Sequence, residues 1–123
     1  MTKAAIERIV RVWVPRLGLE RWKIEVDFSK PCADENVAEV EKSSFYDTGT
    51  IRLEAGWAKW EPVFAEQTLV HELLHLLHRD VDEAFRDIEG QLHRDAWTMA
   101  DRRYKQAMEG FIDRMAFRLV EIA

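Results

Sequence analysis

The chain has 123 residues, a length that fits one domain (residues 1–123) and leaves no room for a second hydrophobic core. Apolar residues make up 47% of the sequence and aromatic residues 11%, which is enough for a packed interior and argues against global disorder. Charged residues make up 33%, and no apolar run approaches the roughly 18 residues needed to cross a bilayer. We therefore predict a single domain with no membrane partner.

The net charge of −5 is concentrated in the second half of the chain. Residues 1–60 carry ten basic and ten acidic side chains, whereas residues 61–123 carry eight basic and thirteen acidic ones. A nucleic-acid-binding surface needs clustered Lys and Arg, so an acidic half disfavours that class of partner. The same balance suits a site that attracts a cation, and all four histidines lie in this half, between positions 71 and 93.

The cysteine content and the N-terminal segment predict a cytoplasmic location. Cys32 is the only cysteine, so no internal disulfide can form, and we expect a reducing compartment. The segment MTKAAIERIV also lacks the apolar stretch and the small-residue cleavage site of a signal peptide.

The first half of the chain is predicted to form a helix followed by three short strands. Apolar residues recur at helical spacing over residues 3–17, and Gly18 is placed to end that helix. Alternation of apolar and polar side chains predicts strands, and a YDTG turn signal at 46–49 precedes the last of them. The strands are predicted at residues 22–28, 37–45 and 50–53.

Beyond Trp60 the apolar spacing changes to that of helices. Pro62 suits the first turn of a helix, and neither Pro nor Gly interrupts the sequence from there to residue 89. We predict helices over 62–78, 82–92 and 95–121, with a break at Asp80–Asp82. The last helix carries an apolar stripe that is predicted to face the core, formed by Trp97, Ala100, Tyr104, Ala107, Met108, Phe111, Met115 and Leu119. An N-terminal helix, a small sheet of about three strands and then further helices is an α+β fold.

A histidine pair within the helix predicted at 62–78 suggests a metal site. His71 and His75 are four residues apart in the sequence HELLH, so both imidazoles lie on one helical face and can bind the same Zn²⁺. Glu72 lies about 100° around the helix, where its carboxylate can take a proton from a water without occupying a metal position. The opposite side of the helix is apolar and is predicted to anchor it in the core through Leu69, Leu73, Leu76 and Leu77.

Two histidines do not complete a catalytic zinc site, which needs three protein ligands and one open position. Glu89, His93 and Glu109 all lie far enough along the chain for a returning helix to bring them to the pair, and periodicity alone does not choose among them. His78 shares the helical face of the pair, but a third ligand from one straight helix crowds the open position. We therefore expect His78 beside the site.

The sequence resembles the small zinc metallopeptidases of phage and prophage genomes and is similar to the SprT-like and ImmA/IrrE-like minimal zincins. The resemblance covers most of the chain. TLVHELLH (68–75) matches the catalytic helix closely, and LERWKIEV (19–26) resembles the opening strand. AEV (38–40) and TIRL (50–53) resemble the paired strands that precede this helix. EGFIDRMA (109–116) resembles the helix that supplies a glutamate ligand.

The resemblance implies a Zn²⁺ cofactor bound by His71, His75 and Glu109, with Glu72 as the general base. Glu89 and His93 are the alternatives for the third ligand. The resemblance also implies that the strand nearest the active helix binds a protein or peptide substrate by strand addition. Residues 50–54 are the candidate edge for that pairing.

Two further roles are predicted around the site. The charge of a tetrahedral intermediate needs a hydrogen-bond donor besides the metal, and Tyr104 is our first candidate, with His93 and His78 as alternatives. Asp113 either accepts the second N–H of a ligand imidazole or forms an ion pair with a neighbouring arginine.

We therefore predict a zinc-dependent hydrolase, and specifically a metallopeptidase. One alternative is a non-catalytic module that keeps the zinc site and recognises a protein partner, and another is a scaffold without metal. The intact HExxH motif favours catalysis, because a purely structural zinc site has no need of Glu72. The sequence does not indicate an oligomeric state.

Overall fold

A computed structural model describes all residues, 1–123. The helices are α1 (Lys3–Arg16), α2 (Pro62–Leu77), α3 (Arg79–Arg86) and α4 (Arg94–Ile122). The strands are β1 (Lys23–Val26), β2 (Ala38–Lys42) and β3 (Thr48–Leu53). Short 3₁₀ turns lie at Trp57–Lys59 and Glu89–Gln91. The predicted α+β order is confirmed. None of the helices has the length and apolar character needed to cross a membrane.

Local signals fix both ends of helix α1. The Thr2 hydroxyl accepts a hydrogen bond from the Ala5 amide at 3.1 Å, which satisfies one of the free donors at the helix N-terminus. Gly18 lies just beyond the other end with φ of 72°, a left-handed conformation that glycine adopts without steric cost. The buried face packs against α2, and the Trp13 indole N–H donates to a Glu66 carboxylate oxygen at 2.8 Å.

The three strands form one mixed sheet in the order β1-β3-β2. Strand β3 pairs parallel with β1 and antiparallel with β2, with Ile51 opposite both Val26 and Val40. The prediction that residues 50–54 form the substrate-binding edge is therefore wrong, because β3 already has a strand on each side. The edge strand beside helix α2 is β2.

The predicted turn at 46–49 extends too far, because β3 begins at Thr48 and includes Gly49. A side chain on Gly49 would place its Cβ 2.9 Å from a methyl carbon of Leu76 on α2. Glycine at this position therefore permits a close approach between the sheet and the helix that carries the histidine pair.

The predicted break at Asp80–Asp82 is also wrong. Helix α2 ends at Leu77, and α3 begins at Arg79, so both aspartates lie in the first turn of α3. Carboxylates there interact favourably with the positive end of the helix dipole. The predicted helix 82–92 instead ends at Arg86 and is followed by the 3₁₀ turn.

The core is built from α1, β3, α2 and α4. Leu69, Leu73 and Leu76 are buried as predicted, whereas Leu77 is exposed. On α4 the buried residues are Ile112 and Ala116, while Phe111 of the predicted stripe is 49% exposed. The buried row of α4 thus differs from the predicted one, and its contact with α2 brings acidic residues of α4 towards the histidine pair.

Candidate metal centre

Three side chains from two helices converge at one point, and we call them the ligand cluster: His71, His75 and Glu109. The Nε2 atoms of the two histidines are 3.2 Å apart. One carboxylate oxygen of Glu109 is 3.1 Å from Nε2 of His71, and the other is 3.0 Å from Nε2 of His75. The ligand cluster therefore joins helix α2 to helix α4.

These separations fit the ligands of one zinc ion. Zinc–nitrogen bonds of about 2.0–2.1 Å at tetrahedral angles place neighbouring ligand atoms about 3.3 Å apart. The three observed distances, 3.0, 3.1 and 3.2 Å, fall slightly below that value. Two imidazoles and one carboxylate are also a donor set that catalytic zinc sites use.

The spacing within α2 and the packing of α4 together place the ligands. His71 and His75 are one turn apart, so their rings lie side by side with centroids 5.0 Å apart. Glu109 precedes the buried residue Ile112 by three positions, so the face of α4 that packs on α2 also presents the glutamate.

The structure does not bring the alternative third ligands to this point. Glu89 lies exposed in the 3₁₀ turn after α3. His93 caps α4, where its Nδ1 accepts a hydrogen bond from the Asp95 amide at 3.3 Å. His78 follows the end of α2, and its ring packs against Phe111.

Asp113 contacts one of the two histidines. Its carboxylate oxygen is 3.2 Å from Nδ1 of His71, the ring nitrogen that faces away from the ligand cluster. A proton on Nδ1 leaves Nε2 with a free lone pair, which is the form that binds a metal. Of the two roles predicted for Asp113, the structure therefore shows the contact with the imidazole.

Glu72 lines both parts of a cleft whose walls also contain His71 and Glu109, and it is only 7% exposed. Burial raises the pKa of its carboxyl group to about 8, and the charges of Glu109 and Glu39 act in the same direction. The ammonium group of Lys42 opposes this rise. Without a cation in the ligand cluster, Glu72 is therefore mostly protonated at neutral pH.

Burial has the opposite effect on His75. It lowers the pKa of the imidazole, and the neighbouring His71 adds to this effect, although the Glu109 carboxylate opposes it. The lowered pKa favours the neutral imidazole, which is the form that binds a divalent metal.

A cleft runs along the edge strand β2 and passes the ligand cluster. Its two parts have volumes of about 410 and 310 Å³ and share His71, Glu72 and Glu109 in their walls. The larger part is bordered by the aromatic side chains of Phe64 and Phe117. The smaller part reaches along β2 and is lined by Glu39, Val40, Lys42 and His75 together with the shared residues. An extended chain laid in the cleft lies beside the open edge of β2.

Tyr104 lines neither part of this cleft. Its hydroxyl donates to Asp82 at 2.5 Å, and Lys42 donates to the other oxygen of Asp82 at 2.7 Å. Burial raises the pKa of Tyr104, and the bond to Asp82 has the same effect. We call Lys42, Asp82 and Tyr104 the lysine cluster. Lys42 is not among the site residues predicted from the sequence.

Comparisons of the chain with protein-family models, with curated proteins and with solved structures found no match. We therefore infer the function from the geometry and chemistry of the cleft and its two clusters.

Proposed function

We propose that the protein is a zinc-dependent metallopeptidase of the minimal zincin type that acts on a protein or peptide substrate in the cytoplasm. The observation that carries the proposal is the ligand cluster, in which two nitrogens and a carboxylate lie 3.0–3.2 Å apart beside the buried carboxylate of Glu72. The single cysteine supports the proposed location, because it needs no oxidising compartment.

In this proposal His71, His75 and Glu109 hold the zinc ion, and Asp113 fixes the orientation of the first histidine. When bound, zinc supplies positive charge that lowers the pKa of a water and polarises the scissile carbonyl. The charge of Glu109 raises the pKa of Glu72, whereas a bound cation would lower it. Glu72 would then be in the ionised form that a general base requires.

Glu72 moves the proton that peptide hydrolysis requires. Its carboxylate accepts a proton from the water that attacks the carbonyl carbon, and it then delivers this proton to the nitrogen of the leaving amine. Its position next to His71, outside the three residues of the ligand cluster, leaves the carboxylate free for this exchange.

The edge of β2 gives the substrate a place to bind. Backbone groups on its outer side have no strand partner, and residues of β2 line both parts of the cleft. We propose that an extended segment of substrate pairs with β2, so that main-chain hydrogen bonds provide affinity.

The isosteric variant Glu72→Gln tests this function. Zinc-loaded wild type and variant are incubated with an unfolded protein and a peptide library, and cleavage is followed by mass spectrometry. We expect equal zinc content and a loss of turnover of at least about 100-fold, the contribution of a positioned general base. Glu61→Gln, which changes an exposed glutamate before the first turn of the same helix, is the matched control and keeps activity.

Two results would refute the proposal. One is wild-type turnover in Glu72→Gln. The other is zinc-loaded protein that cleaves no peptide but captures a specific partner, which indicates the non-catalytic binding module.

A further inference from the structure

Lys42 occupies an unusual position for a charged side chain. It shares one face of strand β2 with Ala38 and Val40, which pack against the hydrophobic core. Its side chain is 22% exposed. An ammonium group so placed needs partners that replace the water it has lost.

Two of those partners are within the protein. The ammonium nitrogen is 2.7 Å from Oδ2 of Asp82 and 3.2 Å from the backbone oxygen of His75. Asp82 is only 8% exposed, and its other oxygen accepts the hydroxyl proton of Tyr104. Tyr104 thus fixes the carboxylate of Asp82, and this carboxylate in turn fixes the ammonium group of Lys42.

The third N–H of Lys42 has no acceptor within the protein. A lysine ammonium group has three donors, and the two bonds above use two of them. Lys42 also lines the smaller part of the cleft, together with Glu72, His75 and Glu109. The residue that carries this free N–H therefore lines the same part of the cleft as Glu72 and the proposed metal ligands.

We propose that Lys42 is a catalytic residue of this peptidase and that its third N–H donates to the substrate oxygen that becomes negatively charged. When water adds to the carbonyl carbon, the π-electron pair moves onto that oxygen, and a fixed cationic donor stabilises the charge without reorganising. Asp82 and Tyr104 are positioning residues for Lys42. This inference rests on the proposed function.

The assignment replaces the role predicted for Tyr104. The Tyr104 hydroxyl proton is already donated to Asp82, and the residue lies outside the walls of the cleft. Lys42 is better placed for this role, because its side chain crosses from β2 to the C-terminal part of α2. There its ammonium group donates to the backbone oxygen of His75, a proposed zinc ligand.

A purely structural role for Lys42 makes a different prediction. The ammonium group also lies at the C-terminal end of α2, where cations favour the helix dipole. If this were its whole contribution, removing it would lower the midpoint of thermal unfolding but leave the turnover of the zinc-loaded, folded enzyme unchanged.

The test compares Lys42→Met with wild type at equal zinc content. We expect kcat to fall by about 100-fold or more, as when an oxyanion donor is removed, with KM changed by less than about twofold. Inhibition by a phosphinic peptide, which mimics the tetrahedral intermediate, should weaken in parallel, whereas inhibition by a product peptide should not. Lys105→Met, an exposed lysine on α4, is the control and should behave as wild type.

The outcomes separate this inference from the function on which it rests. Wild-type kcat in folded, zinc-loaded Lys42→Met, with Glu72→Gln inactive, overturns the role of Lys42 but not the peptidase. If Lys42→Met does not fold, Lys42→Gln removes the positive charge that the inference requires of the donor, and wild-type kcat in that variant also overturns the inference. Absence of hydrolysis by the zinc-loaded wild type overturns both.

Discussion

Two polar clusters meet at the C-terminal half of helix α2, and they differ in how their charges are balanced. In the lysine cluster, a cation and a carboxylate lie 2.7 Å apart, and the remaining carboxylate oxygen accepts a hydroxyl proton. In the ligand cluster, the Glu109 carboxylate faces two imidazoles, with the carboxyl group of Glu72 nearby, and no Lys or Arg pairs with it.

The difference indicates what each cluster requires. In the lysine cluster the charges of Lys42 and Asp82 balance each other, so Asp82 can hold Lys42 in place while one ammonium N–H stays free. The ligand cluster instead gathers lone pairs and negative charge, which a divalent cation compensates.

Removing a ligand should have the largest effect. We expect His75→Ala to weaken zinc binding by more than the roughly 100-fold that follows loss of a residue that merely orients a ligand. Isothermal titration with a competing chelator measures the affinity. His93→Ala, which removes a histidine that only caps α4, should keep the wild-type affinity. If both variants lost the same amount of zinc affinity, the ligand cluster would not be the zinc site.

Zinc should stabilise the fold, because the ligand cluster joins α2 to α4. At free zinc of 100 times Kd, the free energy of unfolding should rise by about 2.7 kcal/mol, and a chelator should reverse the gain. Urea unfolding with and without zinc measures this change. An identical unfolding midpoint under both conditions would contradict a site formed by the folded chain.

Asp113→Asn should have an intermediate effect. Loss of the carboxylate that orients His71 should weaken zinc binding by about 10- to 100-fold. Arg114→Gln, a change at the next residue of α4, serves as the control. Unchanged affinity in Asp113→Asn would mean that the contact with Nδ1 does not contribute to metal binding.

The smallest effect concerns acid stability. Although burial alone raises the pKa of Asp82, the hydrogen bonds from Lys42 and Tyr104 bring it below its usual 3.8. The pKa of Asp82 is therefore lower in the folded protein than in the unfolded chain. The ionised carboxylate stabilises the fold above pH 3.8, and this stabilisation is lost as the pH falls through the pKa of Asp82 in the folded protein.

Unfolding of Asp82→Asn should therefore depend less on pH below 3.8 than unfolding of wild type. Asp80→Asn removes the charge of an exposed aspartate in the same helix and serves as the control. An equally steep decline in Asp82→Asn and wild type would show that the lysine cluster does not contribute to acid stability.

The sequence predicted the elements that depend on local periodicity. The HELLH spacing placed His71 and His75 on one face, and the leucines behind them are buried, apart from Leu77. The exposed residue lies at the end of α2, where the chain leaves the core, and a repeating pattern does not show where such an end falls.

Features that depend on tertiary pairing were less predictable. Strand order is not a local property, so residues 50–54 looked like an edge although β3 lies in the middle of the sheet. The apolar residues of α4 surround much of the helix, so the pattern did not show that Ile112, rather than Phe111, faces α2. Glu109 was preferred to Glu89 and His93 only through the family resemblance.

Lys42 did leave a signal in the sequence. It continues the alternation of Ala38 and Val40, so a strand there carries a charged residue on its inward face. A half-buried cation on such a face needs a partner, and that partner, Asp82, is 40 residues away and could not be read from the sequence.

Zinc-edge anomalous diffraction from crystals grown with zinc tests the central claim most directly. The account predicts one strong peak per chain, about 2.0–2.2 Å from Nε2 of His71, Nε2 of His75 and an oxygen of Glu109. A ligand cluster without zinc, or zinc bound by other residues, would contradict it.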